Sequence, residues 1–317
     1  MAVREEYTFI SKDDAESTIH AVKWTPDDNN IKAILQICHG MQEYILRYEG
    51  FATFMADHGF AVIGHDHIGH GTTVTDESEL GIMHTNSPAD VMIEDIFSNF
   101  KLMREQYPDI PFFILGHSMG SYLLRMLLSK KSSELKGLSG AIIMGTGTEK
   151  NVTIRMGRLI VNLIATFKGW NYKSKFVANL MFSSPYKYYD VTGKEPERSW
   201  LSKNVENVKK YYKDPLDNYM FSLNGYRVLL SATLYDNQMN NINKINKDLP
   251  IIFVSGDKDP VGNLGIGVNE AYRKFEDAGV RDVSIKLYHG DRHEILNELD
   301  RETVYEDLLN WLQARMK

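Results

Sequence analysis

Cysteine is almost absent from this sequence, which has 317 residues and a single cysteine, Cys38. One cysteine excludes an internal disulfide framework and fits a reducing compartment. The sequence also lacks any run of 18 consecutive apolar residues, and its first residues, MAVREEYTFISKDD, are too charged for the apolar part of a secretory signal. We therefore expect a soluble, cytoplasmic protein.

Basic residues are fewer than acidic ones, 36 against 42, and no run of lysines or arginines could follow a phosphate backbone. Nucleic acid is therefore not expected as a partner. A dinucleotide fingerprint is incomplete, because Gly145-Thr146-Gly147 has Lys150 where the third glycine would stand. No Walker-type loop is present either, and we predict no cofactor.

Short apolar runs recur along the chain, and each ends at a glycine-containing turn that a helix-like stretch follows. The runs are 31–37, 60–63, 111–115, 141–144 and 250–255. They are too short for buried helices and do not alternate apolar with polar residues, so they are typical of parallel strands covered on both faces. This pattern predicts an α/β fold, in which helices flank a mostly parallel central sheet.

The regular spacing of strands is interrupted once, between Gly145 and Pro250, where helical patterns occur without a convincing strand. An insertion at this point emerges at the carboxyl edge of the sheet, where open α/β sheets bind ligands. We therefore predict a core made of residues 1–145 and 241–317, with residues 146–240 forming a helical cap, or lid.

One helical pattern in the predicted cap carries an apolar stripe. Its apolar residues are Met156, Ile160, Leu163, Ile164 and Phe167, and Arg155, Arg158 and Asn162 fall on the opposite side. The stripe either packs against the main domain or lines an apolar substrate pocket. An apolar cap would also allow a transient contact with a membrane or a micelle.

Residues 116–120 read G-H-S-M-G and lie between a predicted strand and a predicted helix. This is the context of the G-x-S-x-G nucleophile elbow, in which a tight turn lifts the serine hydroxyl above the sheet. A Cβ atom at either flanking glycine would collide with the adjacent strand or helix. Ser118 is therefore the candidate nucleophile.

A serine nucleophile needs a histidine that accepts its proton and a carboxylate that orients the histidine. With this elbow, the acid and then the histidine follow the serine along the chain. Asp257 and Asp259 both follow the predicted strand at 250–255, and we favour Asp259, which the next residues can shield from solvent. A last strand-like segment covers residues 284–288, and His289 and His293 follow it. We favour His293, which can reach back over the sheet edge.

Two backbone N–H groups are needed to stabilise an oxyanion. Met119 supplies one as the residue after the nucleophile. The loop after an early strand, Cys38-His39-Gly40-Met41, supplies the other, because Gly40 allows a close approach of the backbone and leaves the Met41 N–H as donor.

The spacing of His65, His67 and His70 invites a zinc hypothesis. A metallo-β-lactamase-like site would have an aspartate directly before the last histidine, and Gly69 occupies that position. We favour a glycine-rich structural turn and predict no metal.

Several segments resemble the monoacylglycerol lipase and lysophospholipase branch of the α/β-hydrolases, which is similar to serine aminopeptidases. His39-Gly40 with Glu43, Arg47 and Tyr48 resembles its H-G-x-x-E-x-x-x-R-Y segment, residues 66–71 its D-x-x-G-H-G turn, and residues 200–204 with 214–216 its lid signature. The segments around Asp259 and His293 match its acid and base loops. The resemblance implies the α/β-hydrolase fold and a Ser118, His293 and Asp259 triad. It also implies hydrolysis of a monoacylglycerol, a lysophospholipid or a similar small acyl ester through an acyl-enzyme.

Two alternatives remain open. A serine aminopeptidase of the proline iminopeptidase type would need an anionic pocket for a free amine, which Glu149, Glu195 and Glu197 could supply. A ligand receptor that has lost catalysis is the other alternative. Acyl chain length, headgroup preference and oligomeric state are not readable from these residues.

Overall fold

The computed structural model describes residues 2–182 and 185–316. The strands in this part of the chain are β1 (Val3–Ile10), β2 (Thr18–Thr25), β3 (Ala33–Cys38), β4 (Phe60–His65), β5 (Phe112–His117), β6 (Leu138–Met144), β7 (Ile251–Gly256) and β8 (Val283–Tyr288). They form one sheet in the order β1-β2-β4-β3-β5-β6-β7-β8. β2 pairs antiparallel with β1 and with β4, and the other neighbours are parallel, which confirms the predicted mostly parallel sheet.

Helices cover both faces of this sheet. In the described residues they are α1 (Glu49–Asp57), α2 (Pro88–Gln106), α3 (Met119–Lys130), α4 (Asn151–Lys168), α5 (Lys175–Met181), α6 (Val205–Lys213), α7 (Leu223–Asp236), α8 (Met239–Ile242), α9 (Ile266–Asp277) and α10 (Arg301–Gln313). Ile34 packs in the hydrophobic cluster that includes α2, α3 and α9, and its neighbour Leu35 packs in the cluster that includes α1 and α10. Both faces are therefore buried, which explains the uninterrupted apolar run of β3.

The antiparallel pair β1 and β2 is a feature that the apolar runs did not predict. Most residues of β1 are exposed, and only Phe9 is buried. A strand at the edge of a sheet with one solvated face has few apolar residues. Its sequence therefore lacks the continuous run that marks the central strands.

Helices α4 to α8 lie between β6 and β7 in the chain, so the predicted helical insertion is present. Met156 and Ile160 of α4 line a cavity, although Met156 is 61% exposed. Leu163 and Phe167 do not line this cavity and are exposed to solvent. Packing against the main domain, one of the two interpretations of the stripe, is therefore wrong for Leu163 and Phe167. The division into core and cap at residues 145 and 241 stays a prediction.

Within residues 2–182 and 185–316, no helix combines the length and the apolar character that crossing a membrane requires.

Candidate active site

The turn between β5 and α3 holds Ser118 in a strained backbone conformation, with φ 51° and ψ −121°. Residues other than glycine seldom adopt positive φ, and such strain often marks a functional site. A Cβ atom on Gly116 would lie 2.4 Å from the Gly120 carbonyl oxygen, and one on Gly120 would lie 2.1 Å from the Cys38 carbonyl oxygen. The predicted need for glycine on both sides of the serine is thus confirmed by the packing.

The loops after β7 and β8 bring Asp259 and His293 together. The Asp259 Oδ2 atom lies 3.0 Å from the His293 Nδ1 atom, and both side chains are buried. Asp259 also accepts hydrogen bonds from the Ser255 hydroxyl at 3.1 Å and from the Val261 backbone N–H at 2.8 Å. These bonds fix the carboxylate, so that it can accept the Nδ1 proton of His293 and leave Nε2 as the proton acceptor.

Asp257 and His289, the two residues that we did not favour, form a separate pair. The Asp257 carboxylate lies 2.9 Å from His289 Nδ1 and accepts the Gly290 backbone N–H at 2.8 Å. The His289 side chain is 94% exposed. This pair stabilises a surface turn, which leaves Asp259 and His293 as the buried pair near the elbow.

Ser118 and His293 line one common cavity. The ring centroid of His293 lies 4.7 Å from that of His117, the residue directly before Ser118. No hydrogen bond joins the Ser118 hydroxyl to His293 among the bonds formed by the described residues. In free enzymes such bonds are often long and shorten only when substrate binds. The catalytic roles of these residues stay predictions.

The backbone of the loop after β3 approaches the candidate nucleophile closely. A Cβ atom on Gly40 would lie 2.9 Å from the Ser118 Cβ atom. Met119 is the first residue of α3, so its N–H has no partner within the helix. Over the described ranges, neither the Met119 N–H nor the Met41 N–H donates a hydrogen bond. Both predicted oxyanion donors are therefore available.

Glu43 connects this loop to the elbow. Its Oε1 atom accepts hydrogen bonds from the Gly40 backbone N–H and the Tyr48 hydroxyl, and it lies 3.1 Å from His117 Nδ1. Burial raises the pKa of Glu43, but the hydrogen bond and charge of His117, helped by Arg47, bring it well below its usual range. Burial lowers the pKa of His117, but the Glu43 carboxylate outweighs that effect and the net shift is upward. Each partner of this pair therefore favours the charged form of the other.

Arg47 joins three segments that are distant in the sequence. Its guanidinium lies 2.7 Å from the Asp217 and Glu294 carboxylates and 3.5 Å from the Glu43 carboxylate. Glu294 directly follows His293, and Asp217 belongs to the predicted cap. Burial raises the pKa of Asp217 to about 8, although Arg47 opposes that shift. Asp217 was missed in the sequence, because only the adjacent segment 214–216 resembled the lid signature.

The turn at residues 66–71 supports the same loop. The Asp66 carboxylate accepts hydrogen bonds from the Ile45 backbone N–H at 2.8 Å and from the Thr72 backbone N–H at 2.9 Å. The His39 Nε2 atom accepts the His67 backbone N–H at 3.0 Å. The D-x-x-G-H-G turn therefore holds the segment that carries Gly40 and Met41.

The three histidines of the zinc hypothesis are buried beside this turn. Burial lowers the pKa of His65 and of His70 to about 3, and it lowers the pKa of His67 well below its usual range. The rings are therefore neutral and pack edge to face, with 4.9 Å between the centroids of His65 and His67. Across the part of the chain that the structure describes, no group of three or more His, Cys, Asp or Glu side chains is arranged to hold a metal ion.

A cavity of about 580 Å³ opens at Ser118 and His293. Aliphatic side chains of α4 and α7 form much of its wall, including Ile154, Ile160, Leu229 and Leu230. Aromatic side chains that also line it are Tyr122, Phe182, Tyr186, Trp200 and Tyr211. A cavity of this size and lining accommodates a small molecule with an apolar part.

Comparisons with known proteins identify the family of this chain. The family model described as "Serine aminopeptidase, S33" (Hydrolase_4) matches residues 29–300. A monoglyceride lipase of Mus musculus is 23% identical over 303 residues, which cover 92% of this chain and 86% of that protein.

Solved structures give the same result for the fold. A thermostable carboxyl esterase of Bacillus coagulans, in complex with glycerol, superposes with a TM-score of 0.88 and 28% identity over the full length of both chains. A soluble variant of the monoglyceride lipase of Saccharomyces cerevisiae, in complex with a substrate analogue, superposes with a TM-score of 0.74 and 20% identity, covering 100% of this chain and 96% of that one. The chain has the α/β-hydrolase fold, belongs to the serine aminopeptidase S33 (Hydrolase_4) family and is a serine hydrolase.

Proposed function

We propose that this protein is a serine carboxylic-ester hydrolase that acts on monoacylglycerols, lysophospholipids or similar small acyl esters. The observation that carries the proposal is the apolar cavity that has Ser118 and the Asp259–His293 pair in its wall. An aliphatic wall favours an acyl chain, which gains free energy when it leaves water. The names of the relatives, which include monoglyceride lipase and carboxyl esterase, support the same substrate class.

In the proposed mechanism, the Ser118 Oγ atom attacks the ester carbonyl carbon while its proton passes to His293 Nε2. Asp259 holds the imidazole through Nδ1 and stabilises the imidazolium. The Met41 and Met119 N–H groups stabilise the negative oxygen, and each such donor contributes about 3–4 kcal/mol in comparable enzymes. The imidazolium returns the proton to the alcohol as the C–O bond breaks. Water then attacks the acyl-enzyme by the same route.

The aminopeptidase alternative is less well supported by the charges around the cavity. Glu195 and Glu197 are exposed and do not line it, whereas Glu149 does. The carboxylates of Glu43 and Glu294 also line the cavity, but Arg47 pairs with both. At Glu43 or Glu294, a free amine would have to displace that guanidinium from a buried ion pair, which costs several kcal/mol. The other two glutamates of the cavity wall, Glu149 and Glu270, are exposed to solvent, where an ion pair with an amine contributes at most about 1 kcal/mol.

A substrate panel tests the proposed function. We expect hydrolysis of p-nitrophenyl esters and monoacylglycerols across a series of chain lengths, with little cleavage of a prolyl arylamide. The Ser118→Ala variant supplies the blank for every substrate. Faster cleavage of the arylamide than of every ester would overturn the proposal in favour of the peptidase, and no turnover of any substrate by the folded protein would favour the ligand receptor.

We further propose that the predicted cap makes a transient contact with the lipid surface that presents the substrate. Leu159, Leu163 and Phe167 of α4 are 69%, 60% and 78% exposed. Lys168 at the end of the same helix places a positive charge beside this apolar face. Apolar side chains with flanking lysines are typical of helices that lie on a membrane surface.

The Leu163→Glu variant tests this contact. Burying one leucine contributes about 1.5–3 kcal/mol, so we expect roughly a tenfold or larger loss of turnover for monoacylglycerol presented in vesicles. Hydrolysis of soluble p-nitrophenyl acetate should stay near the wild-type rate. Leu102→Glu is the matched control, because Leu102 is an exposed leucine of α2, outside the predicted cap. Equal losses in the two variants, or none in Leu163→Glu, would contradict the contact.

A further inference from the structure

Trp200, from the predicted cap, packs against the ring of His293. The two ring centroids lie 5.1 Å apart and the ring planes are inclined by 30°, which is a stacked arrangement. Trp200 is 8% exposed and His293 is 2% exposed. An aromatic face that is this close to a buried imidazole attracts it more strongly when the imidazole carries a positive charge.

Two further aromatic side chains pack against the indole. Phe182 and Tyr186 pack against it at centroid distances of 5.8 and 5.5 Å. All three aromatic side chains line the cavity. The indole therefore forms part of the cavity wall and also packs against His293.

The segment that carries Trp200 is also tied to the loop that carries His293. The Leu201 carbonyl accepts the Glu294 backbone N–H at 2.8 Å, and the Ser202 carbonyl accepts a hydrogen bond from the Arg292 guanidinium at 3.2 Å. The Glu298 carboxylate accepts hydrogen bonds from the Ser202 hydroxyl and the Arg292 backbone N–H. These contacts involve the residues directly before and after His293. They therefore fix the position of the indole relative to the imidazole.

We propose that Trp200 is a positioning residue of the hydrolysis. It fixes the plane of the His293 ring and stabilises the imidazolium that forms when the ring takes the proton of Ser118. This inference rests on the proposed ester hydrolysis, since the imidazolium arises in that reaction. Because the attraction is stronger while the ring is charged, it lowers the barrier more than it strengthens binding of the substrate in the ground state.

Leucine and phenylalanine at position 200 separate this role from simple packing. Trp200→Leu keeps an apolar side chain but removes the aromatic face, whereas Trp200→Phe keeps a face over the imidazole. We expect kcat for p-nitrophenyl butyrate to fall roughly 10–30-fold in Trp200→Leu, the size of a desolvated cation–π contact. KM should change less than about threefold, and Trp200→Phe should recover most of kcat. Trp170→Leu is the matched control, because Trp170 is a tryptophan of the predicted cap that does not line the cavity.

A spectroscopic measurement reports the stacking without requiring turnover. Protons over an aromatic face are shielded, so the His293 ring protons should move downfield in the NMR spectrum of Trp200→Leu and stay near their wild-type positions in Trp170→Leu. If the wild type hydrolyses esters and Trp200→Leu has an unchanged kcat, the role of Trp200 is overturned while the proposed function stands. A loss confined to KM, or a loss that phenylalanine does not restore, would overturn that role as well. A wild type that hydrolyses no ester would overturn the proposed function, and the positioning role with it, even if the NMR shift is observed.

Discussion

Replacing Ser118 with alanine should lower kcat against p-nitrophenyl butyrate by roughly 10⁴–10⁶-fold, as loss of the nucleophile does in other triad enzymes. The hydroxyl is the only group at the elbow that can form the acyl-enzyme, whereas the N–H groups of Met41 and Met119 would remain. A small residual rate over water is therefore expected from the backbone donors alone. The variant should fold normally, because alanine adopts the same positive φ at a similar cost.

Active-site labelling gives the independent check on this prediction. A fluorophosphonate should modify wild-type protein at Ser118, which peptide mass spectrometry would locate, and should leave Ser118→Ala unmodified. Equal melting temperatures for the two proteins would show that the alanine variant is folded. More than about 1% of wild-type kcat in Ser118→Ala would be too fast for catalysis without a nucleophile and would remove Ser118 from the mechanism.

Replacing Asp259 with asparagine should lower kcat by about 10⁴-fold, the effect of the same change in another serine triad. The carboxylate accepts the Nδ1 proton of His293 across 3.0 Å. An asparagine amide can donate to Nδ1 instead, which would leave the proton on Nε2, where the serine proton must arrive. The imidazolium would also lose its buried counter-charge.

Asp257→Asn is the matched control for this variant. Asp257 follows the same strand two residues earlier, but it pairs with the exposed His289. We expect its kcat to stay within about twofold of wild type, since a surface pair of this kind contributes at most about 1 kcal/mol to stability. If the large loss fell on Asp257→Asn and Asp259→Asn stayed active, the acid of the proposed triad would be the wrong one.

Most of the central sheet was predictable because its strands are buried on both faces. Ile34 and Leu35 pack on opposite faces of the sheet, so both must be apolar and the run through β3 is continuous. The edge strand β1 has a solvated surface and leaves no such run. The stripe of α4 shows a second limit, because a helical period marks an apolar face without showing whether protein or solvent covers it. Leu163 faces solvent and Ile160 faces the cavity, although both fit the same pattern.

The candidate site was predictable where the chemistry requires a local motif. The elbow has a fixed spacing, and the chain order of the triad restricted the base to two histidines. Chain order together with the predicted strand at 250–255 restricted the acid to two aspartates. Contacts between distant segments carry no such signal. Arg47 and Glu294 are 247 positions apart, and Asp217 lies in an insertion whose packing the sequence does not specify. Trp200 appeared only as part of a resembling segment, with nothing to indicate its position over His293.

The bridge formed by Arg47 also limits how this enzyme can be recombined with its relatives. A chimera that received a foreign lid without an acid at position 217 would lose one of the carboxylates around the guanidinium. One that kept Asp217 but lost the arginine would leave Asp217 and Glu294 buried without their cationic partner, which costs about 3–5 kcal/mol. In crosses with a relative that differs at position 47 or 217, we therefore expect crossover points placed between the two positions to be depleted among active hybrids.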